Sequence, residues 1–209
     1  MDACCSQETA PAGALQRRFG RALWIVLTIN AAMFVIEFGA GLAAGSSALL
    51  ADSLDMLGDA LLYAVSLYAV GRSARWRAGV ALLKGGVMGA LGLLVAAEVA
   101  WTLLSGRLPE APVMGAVGVL ALFANLACVA LLFAFRRGEI NMRSTWLCSR
   151  NDVIANLGVL AAAAGVAWSG SAWPDILVGS AIAAIILHST LGVVHESARQ
   201  LAPDFERGG

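Results

Sequence analysis

Residues 50–70 read LADSLDMLGDALLYAVSLYAV, an apolar run of helix length that nonetheless carries Asp52, Asp55 and Asp59. At about 3.6 residues per turn, positions 52, 55 and 59 stand at i, i+3 and i+7 and share one helix face, with Asp55 and Asp59 one turn apart. A second stretch answers the first. Residues 145–160, TWLCSRNDVIANLGVL, place Cys148 and Asp152 at the same i, i+4 spacing, and Asn156 continues their face. The two stretches read as halves of one divalent-metal site, with Asp55, Asp59, Cys148 and Asp152 as its ligands.

Of the 209 residues, 59% are hydrophobic and 13% charged, and the mean hydropathy of +0.78 is far above what a soluble domain needs. Six runs of about 20 apolar residues follow one another, at 23–44, 48–70, 78–104, 113–135, 146–168 and 176–194, each able to cross about 30 Å of hydrocarbon. The expected fold class is all-α, an integral membrane bundle of six transmembrane helices. The expected organisation is a short tail at 1–20, one transport domain at 21–196 and a second short tail at 197–209. The formal net charge is zero; with no basic patch and no recognition motif, nucleic acid is not an expected partner.

Thirteen of the fourteen Lys and Arg fall on one side of this topology: Arg17, Arg18 and Arg21 before the first span, Arg72, Arg75, Arg77 and Lys84 around the second connection, Arg136, Arg137, Arg143 and Arg150 around the fourth, and Arg199 and Arg207 after the last. Only Arg107 falls on the other. The positive-inside rule then puts both termini in the cytoplasm. Trp24, Trp76 and Trp146 fall at the inner ends of spans and Trp101, Trp168 and Trp173 at the outer ends, as interface anchors should. The start, MDACCSQETAPAGA, has no apolar core, so no cleavable signal is expected and the first span stays in the bilayer. With Cys4 and Cys5 in the cytoplasmic tail and Cys128 and Cys148 within spans, disulfides are not expected.

Other polar residues in the spans have blander readings beside the functional one. Asn30 and Glu37 share a face of the first helix and suit either an interhelical hydrogen bond or a lining of the ion path near the outer end. Asp52 reads as a helix-start acid facing the positive end of the dipole, in a supporting role nearer the outer face. Asp55 and Asp59, at about 10–17 Å depth, cannot be explained that way. Each, ionised, would cost about 2.5–3.5 kcal/mol on an insertion scale, so protons or a cation are implied. Gly85, Gly89 and Ala96 suit close helix packing, Lys84 a reach to the inner interface, Asn125 a bond across helices, Cys128 a core thiol, and His188 a core or cavity histidine rather than a ligand. If the fifth helix starts near Glu139 rather than Trp146, Cys148 and Asp152 reach the depth of Asp55 and Asp59, and its polar start implies a water-filled cytoplasmic cavity. Arg150 has no evident partner.

Four ligands from two helices suit a tetrahedral ion such as zinc or cadmium, and the thiolate disfavours magnesium and calcium, which prefer six or more oxygens. Four ionised ligands in a low dielectric would hold four negative charges, so the carboxylates must be partly protonated without metal. Metal entry then releases protons and metal release takes them up. A carrier built this way exchanges metal for protons. It needs no resident cofactor, the metal being its substrate.

SSALLADSLDMLGDALLYAVSLYAV resembles the second helix of the cation diffusion facilitator transporters, and MRSTWLCSRNDVIANLGVL resembles their fifth. The resemblance extends to Glu98, Asn125 and the WPDILVG opening of the sixth helix. It implies a homodimeric efflux protein of a bacterial inner membrane, exchanging cytoplasmic zinc-like ions for protons by alternating access, and it maps the family's four-ligand site onto Asp55, Asp59, Cys148 and Asp152. Members commonly carry His or Asp where this chain has Cys148, and often His where it has Asp55, which adds weight to cadmium. Members usually continue into a cytoplasmic metal-binding domain, whereas this sequence stops at Gly209, so dimerisation is expected to rest on the membrane helices. Asp52, Glu37, Asn156, Cys4 and Cys5 are secondary metal candidates, the two cysteines as a soft-metal docking tail or part of a merely disordered one. A membrane enzyme holding a catalytic metal and a metal-binding accessory or sensor protein are the rival readings.

Overall fold

A computed structural model of the chain describes residues 12–68, 74–137 and 140–201. Six α-helices follow in order: α1 (Ala12–Ala44), α2 (Ser47–Tyr68), α3 (Ala74–Ser105), α4 (Ala111–Leu132), α5 (Ile140–Ser169) and α6 (Trp173–Leu201), with a single 3-10 turn at Phe133–Phe135 after α4. The all-α expectation stands. Helix α5 is already formed at Ile140, ahead of Trp146, as the depth argument requires.

Five of the six helices are long and apolar enough to cross a membrane. The exception is α2, whose three aspartates interrupt its apolar run, and the packing shows why it tolerates them. Helix α2 contributes to every hydrophobic cluster of the bundle: Tyr63 to one with Val26, Cys128 and Leu132, Ala48 and Leu49 to one with Met114 and Val159, Leu54 to one with Val95 and Ile186, and Met56 to one with Met33 and Ala121. It is the central post, sheathed by the other helices. Van der Waals packing against them replaces contact with lipid, which as a solvent for apolar side chains offers no advantage over protein.

The outer helices pair α1 with α2, α3 with α6 and α4 with α5, while the contact between α2 and α5 is slim. Glycines permit the close approach of α3 and α6. A Cβ on Gly85 would lie 2.5 Å from Val194 Cγ2, and one on Gly92 2.5 Å from Leu187 Cδ2. The expected small-residue packing is therefore real, but its stripe runs through Gly85, Gly89 and Gly92, and Ala96 faces outward. The outer surface is apolar all round, with Leu104 86%, Ile185 70% and Trp168 93% exposed. Trp146 departs from the anchor pattern, packing partly buried against the cluster around Leu23 and Phe135.

Helices α1, α3 and α5 each end on a glycine in the left-handed region, Gly45 (φ 62°), Gly106 (φ 66°) and Gly170 (φ 61°). Backbone of that hand carries a steric penalty for any residue with a Cβ, and here it turns the chain after the last helical carbonyls are satisfied. These turns mark the glycine-capped end of the bundle. Beyond Gly45, Ser46 caps α2, its Oγ accepting from Leu49 N at 3.1 Å. The first turn of α2 carries no acid of its own. Asp175, from the first turn of α6, supplies one instead: Oδ1 accepts from Ser46 Oγ at 2.6 Å and Ala48 N at 3.1 Å, and Oδ2 from Ser47 N at 2.8 Å.

Candidate metal centre

Asp55 and Asp59 project from α2 toward α5, where the carboxyl of Asp152 lies beside both. Asp59 is 8% exposed and Asp152 5%, and Asp55 is partly buried. The packing of α2 against α5 brings together carboxylates that are nearly a hundred positions apart in the chain. Position 148 lies on α5 one turn before Asp152, but the side chain of Cys148 lies outside the described residues, as do Cys4 and Cys5.

Among the described residues, no three His, Cys, Asp or Glu side chains converge into a ready-made metal site. Asp59 is engaged elsewhere. The Tyr63 hydroxyl, one turn further along α2, donates to Asp59 Oδ2 and stands 3.3 Å from Ser149 Oγ on α5. Asp152 Oδ2 is buried and meets no donor among the described residues. The Asp59 oxygen, by contrast, is held by a phenol. Tyr63 and Ser149 escaped the sequence reading, although both stood at helical spacing from the acids, Tyr63 at i+4 from Asp59 and Ser149 at i−3 from Asp152.

A cavity of ≈ 260 Å³ reaches this cluster between α2, α3 and α6, lined by Asp55, Asp59, Lys84, Met88, Ser189 and Thr190 among others. It is large enough for several waters. No described α5 residue lines it; the side chains of residues 140–145, at the polar start of α5 where a cavity was expected, lie outside the described residues. Lys84, expected to reach for the inner interface, lines it beside the acids.

Asp52 is corrected from a helix-start acid to a fully buried one. It sits in the second turn of α2, at 0% exposure, and Asn156 Nδ2 donates to its Oδ1 at 3.5 Å. Glu37, also at 0% exposure, lies against it from α1. The dipole role assigned to Asp52 is filled by Asp175 of α6, whose carboxylate accepts from the Ser47 and Ala48 amides. The polar residues of α4 divide. Cys128 is a buried core thiol, 3.8 Å from Asn30 Nδ2, whereas Asn125 makes no cross-helix bond among the described residues. His188 is exposed on the outside of the bundle, not in its core or cavity. Arg150 reaches Asn151 Oδ1 at 3.4 Å and lies 5.8 Å from the Trp146 ring centroid.

The model of the cation efflux transmembrane domain matches residues 23–202, from the first helix to the end of the sixth. The chain belongs to the cation efflux family. That family is one of membrane cation efflux proteins and not of enzymes, which counts against the membrane-enzyme reading. Within the cation efflux family, the chain is 25% identical over 195 residues to the metal cation efflux system protein CzcD of Cupriavidus metallidurans, covering 84% of this chain and 62% of CzcD. It is 30% identical over 186 residues to the zinc transporter ZitB of Pectobacterium atrosepticum, covering 83% of this chain and 58% of ZitB. With the ZitB of Escherichia coli it shares 25% over 194 residues, 87% of this chain and 62% of the relative. The chain thus spans about three fifths of the length of these curated relatives.

Proposed function

We propose that this cation efflux chain exports zinc, cadmium or both from the cytoplasm in exchange for protons, by alternating access, with Asp55, Asp59, Cys148 and Asp152 as the transported ion's ligands. The observation that carries the reading is the nearness of the Asp152 carboxyl on α5 to those of Asp55 and Asp59 on α2, inside the bundle and beside a cavity that Asp55 and Asp59 line. Acids buried in a membrane interior are expensive and mark ion or proton pathways. The relatives named as zinc transporters and as a metal cation efflux protein support the same substrate class.

The cycle follows from charge. Protonated carboxyls let the empty site exist in a low dielectric; metal entry from the cytoplasm displaces protons, and release on the other side lets them return. The proton gradient then drives efflux. The slim α2–α5 contact is where the site is divided, so a small separation of those helices takes ligands away from the ion while the better-packed pairs stay intact. Cys148 supplies a soft donor and tilts the preference toward cadmium. Both termini lie in the cytoplasm by the distribution of Lys and Arg, in a bacterial inner membrane, and the chain works as a homodimer through its apolar outer faces.

The test is reconstitution in liposomes with an imposed pH gradient, comparing zinc and cadmium uptake by the parent and by Asp59→Ala. Gradient-dependent uptake that Asp59→Ala abolishes is expected. Equal flux in both proteins would remove Asp59 from the site, and metal binding without gradient-driven flux would make the chain an accessory binding protein.

A further inference from the structure

One turn from Asp55 toward the glycine-capped end, three helices bring oxygen atoms together around Asp52. Glu37 of α1 lies against Asp52 of α2, and Asn156 of α5 closes the group, donating Nδ2 to Asp52 Oδ1 at 3.5 Å and to the Asp152 carbonyl at 2.9 Å. Those two donations fix which end of the amide is which and leave Oδ1 as an acceptor. All three side chains are at 0% exposure. Yet Glu37 Oε1 and Oε2, Asp52 Oδ2 and Asn156 Oδ1 meet no hydrogen-bond donor among the described residues. Buried polar atoms are almost always satisfied, so a group of acceptors with nothing to accept from lacks a positive partner.

The number of open oxygens discriminates between partners. One proton shared by Glu37 and Asp52 engages a single oxygen of each and leaves the other Glu37 oxygen and Asn156 Oδ1 unmet. A divalent cation can draw oxygens from all three side chains, and the charges of two carboxylates would balance it, leaving the loaded group neutral in a low-dielectric interior. The donors are oxygen only, from three helices, which suits a zinc-like ion completed by water and contains no soft ligand to select cadmium.

We propose that Glu37, Asp52 and Asn156 form a second divalent-cation site, separate from the Asp55, Asp59, Cys148 and Asp152 set and one turn nearer the glycine-capped end. Its place as a station on the exit route rests on the transport reading above; its existence as a binding site does not. Asn156 links the two, since the same Nδ2 that orients it holds the Asp152 carbonyl.

Zinc bound per chain, counted by equilibrium dialysis on the 209-residue chain in lipid nanodiscs, tests the proposal, in a Cys4→Ser, Cys5→Ser background that removes tail binding. Two ions per chain are expected for this parent, one for Glu37→Gln, one for Asp59→Asn and none for the double variant. An unchanged zinc count in Glu37→Gln would overturn the proposal and leave Glu37 and Asp52 a proton-sharing pair. Because Glu37→Gln could also misfold, Asn156→Asp gives an independent reading. A third carboxylate should bind zinc at this site about tenfold more tightly and enlarge the zinc-induced rise in Tm. An amide that serves only as a structural hydrogen bond predicts a smaller rise than in the parent, and that result would also overturn the site. Failure of gradient-driven flux in the parent would sink the transport reading while leaving the zinc count intact.

Discussion

Ser46 on the approach to α2 and Asp175 in the first turn of α6 are joined by a 2.6 Å hydrogen bond, and the same carboxylate holds the first two amides of α2. Helix starts leave four N–H groups without intrahelical partners, and with Ser46, Ser47 and Ala48 fully buried a protein acceptor has to supply them. Asp175 therefore anchors the helix that carries the candidate metal ligands. Gly179 makes this approach possible: a Cβ there would lie 2.6 Å from the Ser47 carbonyl carbon.

Replacing Asp175 by Ala strands the Ser47 and Ala48 amides in a buried place and should cost about 3 kcal/mol. Asp175→Asn keeps one acceptor oxygen and should cost less. Unfolding of the purified variants in detergent checks the order Ala below Asn below parent; an Ala variant as stable as the parent would dismiss the anchor.

Gly179→Ala forces α6 away from backbone that cannot rotate aside, for an expected loss of about 2 kcal/mol. At Gly192 an added Cβ meets nothing within 4 Å. Gly192→Ala should be neutral, or stabilising by up to about 1 kcal/mol through helix propensity. Both are read in the same unfolding assay, and equal effects would show that the α2–α6 contact is not tight.

Tyr63 holds Asp59 in place. Tyr63→Phe removes that support without removing a ligand and should weaken zinc binding about 10-fold, in the range seen when groups behind a metal ligand are lost. Asp59→Asn should weaken it further. Isothermal titration of zinc distinguishes the two, and a Tyr63→Phe protein that binds as the parent does would make the contact incidental.

Cys148→Asp exchanges a soft donor for a hard one, so cadmium uptake in liposomes should fall more than zinc uptake. The reverse order would show that the thiol does not touch the ion. His188→Leu alters a side chain on the outside of the bundle, and uptake of either metal should change by less than about twofold.

The sequence alone determined the helices, because their signals are local. Length and apolarity mark five of the six helices as able to cross a bilayer, and the i, i+4 spacing of Asp55 with Asp59 and of Cys148 with Asp152 already sets each pair on one face of its own helix. The tertiary structure decided what depends on neighbours. That α2 is the sheathed centre of the bundle, that Asp52 meets Glu37 and Asn156 rather than facing its own helix dipole, that Asp175 caps a helix more than a hundred residues away, and that His188 points outward all follow from how the helices are rotated against one another. Periodicity assigns a residue to a face of its own helix. Only packing decides what that face meets, since in a membrane the choice among apolar faces rests on close contacts such as Gly179 against Ser47, which no single stretch of sequence contains.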